Sequence, residues 1–189
     1  MAKRSRDDTL QCLEHGIDIS TRTILLCEEI NVETAKKLIA NLHILTNSYE
    51  PTKNITILLN CDGGDITHGF AIYDAIRKAA QTCDIHIEAF GQVASMGVIV
   101  LQAATHRSAH ENVEFMTHDG STDYPNGHVR DLERYAAQQI RIRKQMYKLL
   151  EKHTGMAADT WDSLNAFDTF MTAQEACDCG LIDEVIKYD

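Results

Sequence analysis

Short apolar runs rich in β-branched residues alternate with segments of helical periodicity along most of the chain, and no other feature of the sequence constrains the fold as strongly. Thr23-Ile-Leu-Leu-Cys27 predicts a short buried strand. Asn31 then stands as an N-cap ahead of Val32, Ala35, Leu38, Ile39, Leu42 and Leu45, which recur at helical spacing. Ile55-Thr-Ile-Leu-Leu59 is continuous enough to predict a strand buried on both faces. The turn Asp62-Gly-Gly-Asp65 follows it, and then a helix with Ile66, Phe70, Tyr73 and Ile76 on one face. Ile85-His-Ile-Glu-Ala-Phe90 predicts the next strand, broken by Gly91, and residues 95–104 predict a buried helix. Strand followed by helix, repeated, argues for an α/β fold with mainly parallel pairing.

The second half of the chain is less regular. Residues 113–117 predict a short strand ending at His118, and residues 119–127 a loop. A long helix is expected from about residue 128 to 152, with Val129, Leu132, Ala136, Ile140, Met146 and Leu149 along one face. Gly155 suits the left-handed residue that ends it. Thr172-Ala-Gln-Glu175 is a capping box opening a short helix that stops at Gly180, and residues 181–186 close the chain as a strand. Residues 1–20 are polar and weakly patterned, which predicts a mobile arm before a single domain over residues 21–189.

Composition narrows the function classes. A chain of 189 residues, 44% hydrophobic and 24% charged, fits one domain and excludes a disordered or low-complexity protein. Its formal charge of −10 argues against nucleic-acid binding, so the basic residues Arg141, Arg143, Lys144, Lys148 and Lys152 of the long helix read as a solvated face. The most apolar run, residues 93–104, is too short to cross a bilayer, and the basic start has no apolar signal segment after it. The six cysteines are scattered, which predicts reduced thiols and a cytoplasmic setting. Cys177 and Cys179 lack both the usual zinc spacing and a second pair, so no metal site is expected.

Two glycine-rich turns lie at the C-terminal ends of predicted strands, where sites form in open α/β sheets. Gly63 and Gly64 leave backbone N–H groups uncovered at a helix start, which favours an anion or oxyanion, although plain turn chemistry also explains them. Gly91-Gln-Val-Ala-Ser-Met-Gly97 places Ser95 on a sharp entry to a buried helix. The serine is either a nucleophile or an ordinary N-cap. Among nine histidines, His118 stands out because it closes a strand and opens a loop, and Asp168 sits between Phe167 and Phe170, an apolar setting in which a carboxylate needs a partner.

These segments, taken in order, resemble the proteolytic subunit of the Clp protease (ClpP). Thr21-Arg-Thr-Ile-Leu-Leu resembles its opening strand, Asn60-Cys-Asp-Gly-Gly its Asn-Ser-Pro-Gly-Gly turn and Gly69-Phe-Ala-Ile-Tyr-Asp74 the helix after it. Gly91-Gln-Val-Ala-Ser-Met-Gly97 resembles the nucleophile segment almost letter for letter, and Met116-Thr-His118 the segment with the catalytic histidine. His153-Thr-Gly155 resembles the end of the handle helix. Asp168-Thr-Phe-Met-Thr-Ala-Gln-Glu-Ala176 and Gly180-Leu-Ile-Asp183 resemble the closing segment with the catalytic aspartate. The resemblance spans about residues 21–187.

It implies a ClpP/crotonase-like spiral of repeated β-β-α units, with a protruding handle helix in the region of residues 119–155. It implies a serine endopeptidase with Ser95 as nucleophile, His118 as general base and acid and Asp168 as its orienter. The Gly64 and Met96 N–H groups would form the oxyanion hole. The implied assembly is a pair of stacked heptameric rings enclosing a chamber for protein or peptide substrates, with no cofactor in the peptidase itself and ATP used by a partner AAA+ unfoldase. Two alternatives are a non-catalytic ring subunit and a crotonase-type acyl-CoA enzyme. The sequence departs from the family at Cys61-Asp62, where the family has Ser-Pro, and at Asp119-Gly120, where it has Gln-Pro. Leu58 and Leu59 stand where the family offers aromatic residues for unfoldase docking.

Overall fold

The computed structural model describes residues 14–48, 50–121 and 127–188. Strand β1 (Ile17–Asp18) runs antiparallel to β2 (Thr23–Leu26). Helix α1 (Val32–Thr46) leads to β3 (Ile55–Cys61), α2 (Ile66–Ala79) to β4 (Ile85–Ala94), and the short α3 (Met96–Leu101) to β5 (His106–His110). Then come β6 (Glu114–Thr117), the long α4 (Val129–Thr154), α5 (Ala158–Leu164), β7 (Thr169–Thr172), α6 (Ala173–Asp178) and β8 (Glu184–Ile186). Strands β2, β3, β4, β5 and β8 pair in parallel in that order, the α/β architecture that the alternation predicts.

The helix starts are built as their sequences dictate. The Asn31 side chain accepts from the N–H groups of Glu33 and Thr34, and Asp65 from that of His68. At Thr172 both halves of the capping box are present. Gly155 ends α4 in the left-handed conformation at φ 76°.

Strand β4 positions the site. It does not stop at Gly91; the chain bends there at φ 58° and continues to Ala94. Its first half pairs with β5, whereas Gln92, Val93 and Ala94 pair with β6, which in turn pairs antiparallel with β7. The sheet therefore forks, and the ends of β4 and β6 and the start of β7 meet at one place.

Other expectations are corrected by packing. Strand β3 is buried at Ile55, Ile57, Leu59 and Cys61 but only half-buried at Thr56 and Leu58, so one of its faces is covered and not both. In α1, Val32 and Ile39 lie on the exposed side. Of the arm expected over residues 1–20, residues 1–13 lie outside the described residues, while Ile17 is buried and β1 docks on β2. The last half of the long helix carries its packing: Tyr147 and Leu150 are buried, but Val129 and Ile140, assigned to an apolar face by periodicity, are 71% and 46% exposed. At about 1.5 Å per residue the 26-residue helix is about 39 Å long, and its N-terminal part extends past the core it would need to bury that face.

Candidate active site

Ser95 lies between the last residue of β4 and the first of α3, at φ 53° and ψ −122°. Only Ser95 and Arg22 among the described non-glycine residues have positive φ. Such a backbone costs about 1–3 kcal/mol and persists only where its surroundings hold it. Here the Ser95 N–H donates to the carbonyl of Met116 at 2.8 Å, tying the turn to the end of β6. The ordinary N-cap role is absent, since the Ser95 side chain caps nothing. Its hydroxyl instead meets His118 Nε2 at 2.9 Å.

His118 follows β6 by one residue, so the parallel pairing of β4 with β6 brings it beside Ser95. With Nε2 accepting from the Ser95 hydroxyl, the ring proton belongs on Nδ1. Nδ1 faces Asp168 Oδ1 at 3.5 Å, beyond ordinary hydrogen-bond length. Asp168 precedes β7, whose pairing with β6 delivers it to the histidine. Its side chain is 64% exposed and Phe167 is 82% exposed, so the apolar setting expected for Asp168 is not formed among the described residues.

The Gly63-Gly64 turn lies against the serine. A Cβ on Gly63, at φ 101°, would stand 2.7 Å from Ser95 Cβ, and one on Gly64, at φ 133°, would stand 2.3 Å from the Ile30 carbonyl oxygen. Glycine is required at both positions by close approach as well as by φ. Ile30 N–H donates to Gly63 O at 2.7 Å and Asp65 N–H to Ile30 O at 2.8 Å, a bridge that leaves the Gly64 N–H out of the pairing. Met96 is the first residue of α3, so its N–H has no partner within the helix. Cys61 adapts the turn to its departure from the family pattern: its Sγ accepts the Gly63 N–H at 3.3 Å. Burial raises the Cys61 thiol above its ordinary range, the neighbouring Gly63 hydrogen bond opposing this, which keeps the sulfur protonated and unreactive.

Beside Ser95 and His118 is a recess with walls of Ile66, Val98, Ile99, Met146 and Leu150. At its edge the buried Thr117 Oγ1 and Asn165 Oδ1 have no hydrogen-bond partner among the described residues. Behind it, Asp119 is held firmly. Its carboxylate accepts from Tyr147 Oη at 2.6 Å and Arg143 Nη1 at 2.9 Å, and its N–H donates to Asn165 O at 2.8 Å. Burial, with the Asp119 hydrogen bond and charge adding to it, pushes the Tyr147 phenol well above its usual range. The sequence marks Asp119 as a departure from the family pattern but does not show Arg143 and Tyr147 as its partners. Their four-residue spacing on one helix face is the sole signal, and it does not name what they face. No group of metal-ligating side chains occurs among the described residues, and none of their helices is long and apolar enough to cross a membrane.

Comparison with known proteins fits this arrangement. The model of the Clp protease family matches residues 14–189. The ATP-dependent Clp protease proteolytic subunit 2 of Corynebacterium glutamicum is 34% identical over 170 residues, which cover 89% of this chain and 83% of the relative. The protein of the same name from Chlamydia trachomatis serovar D is 36% identical over 171 residues, covering 89% and 82%. An α/β sheet forked around Ser95, a family match over nearly the whole chain and relatives at this identity lead to one conclusion: the chain belongs to the Clp protease family and is similar to its proteolytic subunits.

Proposed function

We propose that the chain is a serine endopeptidase subunit in which Ser95, His118 and Asp168 act as the catalytic triad. The observation that carries this reading is the 2.9 Å contact between the Ser95 hydroxyl and His118 Nε2, made from a backbone held at positive φ. In the proposed reaction His118 Nε2 takes the Ser95 proton as Oγ attacks the peptide carbonyl carbon. Asp168 stabilises the imidazolium through the Nδ1 proton. The N–H groups of Gly64 and Met96 donate to the oxyanion, the position at which such donors count most. The imidazolium gives its proton to the leaving amine. Water, deprotonated by the same histidine, then releases the acyl group and restores Ser95.

The recess beside Ser95 supports binding of an apolar substrate side chain, because its walls are Ile66, Val98, Ile99, Met146 and Leu150. The exposed Val129, Ile140, Phe167 and Phe170 support burial by other subunits in a ring assembly. Stacked heptameric rings, and an AAA+ unfoldase as the user of ATP, are the arrangement that the family resemblance implies. The relatives' names include "ATP-dependent", consistent with that partner class.

The test is hydrolysis of fluorogenic peptides with an apolar residue before the scissile bond, by the wild-type protein and by Ser95→Ala and His118→Ala. Turnover by the wild type and background rates in both variants are expected. Wild-type rates in Ser95→Ala would contradict the assignment of Ser95 as nucleophile, and no turnover in an assembled wild-type protein would contradict the reading and favour a non-catalytic ring subunit. Size-exclusion chromatography tests the assembly, and a stable monomer would contradict it.

A further inference from the structure

We infer that Asp119 is a positioning residue: it anchors the His118 segment to helix α4 and so sets the register of the histidine between Ser95 and Asp168. The inference rests on the proposed role of His118.

Three bonds converge on this one residue. Arg143 Nη1 and Tyr147 Oη grip its two carboxylate oxygens, at 2.9 and 2.6 Å. Its backbone N–H is used by Asn165 O at 2.8 Å, on the segment that leads to Asp168 three residues later. Arg143 Nε also lies 3.6 Å from Asp162 Oδ1 of α5. Both charge-assisted contacts come from α4, one turn apart, on the stretch where that helix is packed rather than exposed. His118, the adjacent residue, has its own side-chain contacts at Ser95 and at Asp168, the second of them loose at 3.5 Å. A loose contact depends on what holds its backbone, and here that is the β6 pairing before His118 and the Asp119 anchor after it. The charged and titratable groups around Asp119 are thus Arg143 and Tyr147 of α4, Asp162 of α5 and His118 itself. With both carboxylate oxygens engaged by Arg143 and Tyr147, Asp119 acts through the histidine segment.

The experiment compares wild type with Asp119→Asn, Arg143→Gln, Tyr147→Phe and the double variant Asp119→Asn/Arg143→Gln. Readouts are kcat and KM for peptide hydrolysis, the rate of Ser95 labelling by a fluorophosphonate, and thermal unfolding. Asp119→Asn keeps the shape and an acceptor but loses the charge. A displacement of the histidine on the scale of 1 Å predicts a kcat loss of roughly 10- to 100-fold with KM within about twofold. The double variant should lose no more than the worse single, because one anchor is removed once. Asp119→Glu should recover part of the rate. Wild-type kcat and labelling in folded Asp119→Asn and Arg143→Gln would overturn the inference, as would a change confined to KM or losses that multiply in the double variant. If the wild type itself fails to label at Ser95, the triad reading fails instead, which separates the two outcomes.

Discussion

Replacing Gly63 by alanine tests how tightly the turn and the nucleophile are built together. The added Cβ would stand 2.7 Å from Ser95 Cβ, 2.9 Å from the Ala94 carbonyl oxygen and 3.0 Å from the Met96 nitrogen. To restore an ordinary contact of 3.4 Å, the turn and the serine must separate by about 0.7 Å. Two of the three crowded atoms are backbone, so a side-chain rotation cannot relieve the clash. Alanine at φ 101° adds about 1–3 kcal/mol of backbone strain. A shift of this size pulls Ser95 from His118 Nε2 and moves the Met96 N–H with it. Misplacement near 1 Å costs roughly 100-fold in rate, equivalent to about 2.7 kcal/mol in the barrier. The assay is kcat on a fluorogenic peptide together with the thermal midpoint. Gly63→Ala should lose about two orders of magnitude in kcat and also unfold at lower temperature. Wild-type values of both would refute the reasoning, since they would mean that the turn does not lie against the serine.

Other consequences follow from the packing and electrostatics. Trp161, fully buried on α5 and the only tryptophan, donates through Nε1 to Thr154 Oγ1 at 3.3 Å; Trp161→Phe should cost less than Trp161→Ala, for which urea denaturation should show a loss of about 3–5 kcal/mol. His153 meets Tyr73 Oη at 2.9 Å, and burial, reinforced by the charges of Lys152, Arg107 and Arg77, lowers its pKa to about 4. The unfolded chain therefore binds this proton first as pH falls, so the stability held above about pH 6.5 drains away toward pH 4. After allowance for solvent screening at this half-buried site the loss is about 1–2 kcal/mol, and His153→Gln should flatten that part of a stability-against-pH curve. Asn31→Ala removes the acceptor for two N–H groups at the start of α1 and should cost about 1 kcal/mol in denaturant unfolding.

The parts of the fold legible in the sequence are those whose local pattern and tertiary role agree. Residues 55–59 form the strand that their apolar run predicts, though with one face covered and not both, Asn31 caps where it should, and Thr172 with Glu175 forms the box its spacing announces. Ser95 stands out in the sequence because it enters a buried helix from a glycine-rich turn, and His118 because it closes a strand. Strand β5 carries no such signal. His106-Arg-Ser-Ala-His110 has no apolar rhythm and becomes a strand because β4 and β8 pair with it on either side. Helix α5 has one buried anchor, Trp161, too few for a periodicity to register. Periodicity shows the apolar stripe on α4 but cannot say whether the same chain covers it, and Val129 and Ile140 are exposed. The setting of Asp168 differs from expectation for the same reason, since the phenylalanines that flank it in sequence face solvent. The role of Asp119 is not legible in the sequence because its partners, Arg143 and Tyr147, are brought to it only by the packing of α4.

The central claim, that Ser95 is a nucleophile activated by His118, is tested most directly by treating the assembled protein with a serine-directed fluorophosphonate and locating the adduct by mass spectrometry. The account predicts one adduct, on Ser95, absent from Ser95→Ala and strongly slowed in His118→Ala. An assembled wild-type protein that takes no label at Ser95, or one labelled as fast without His118, would contradict it.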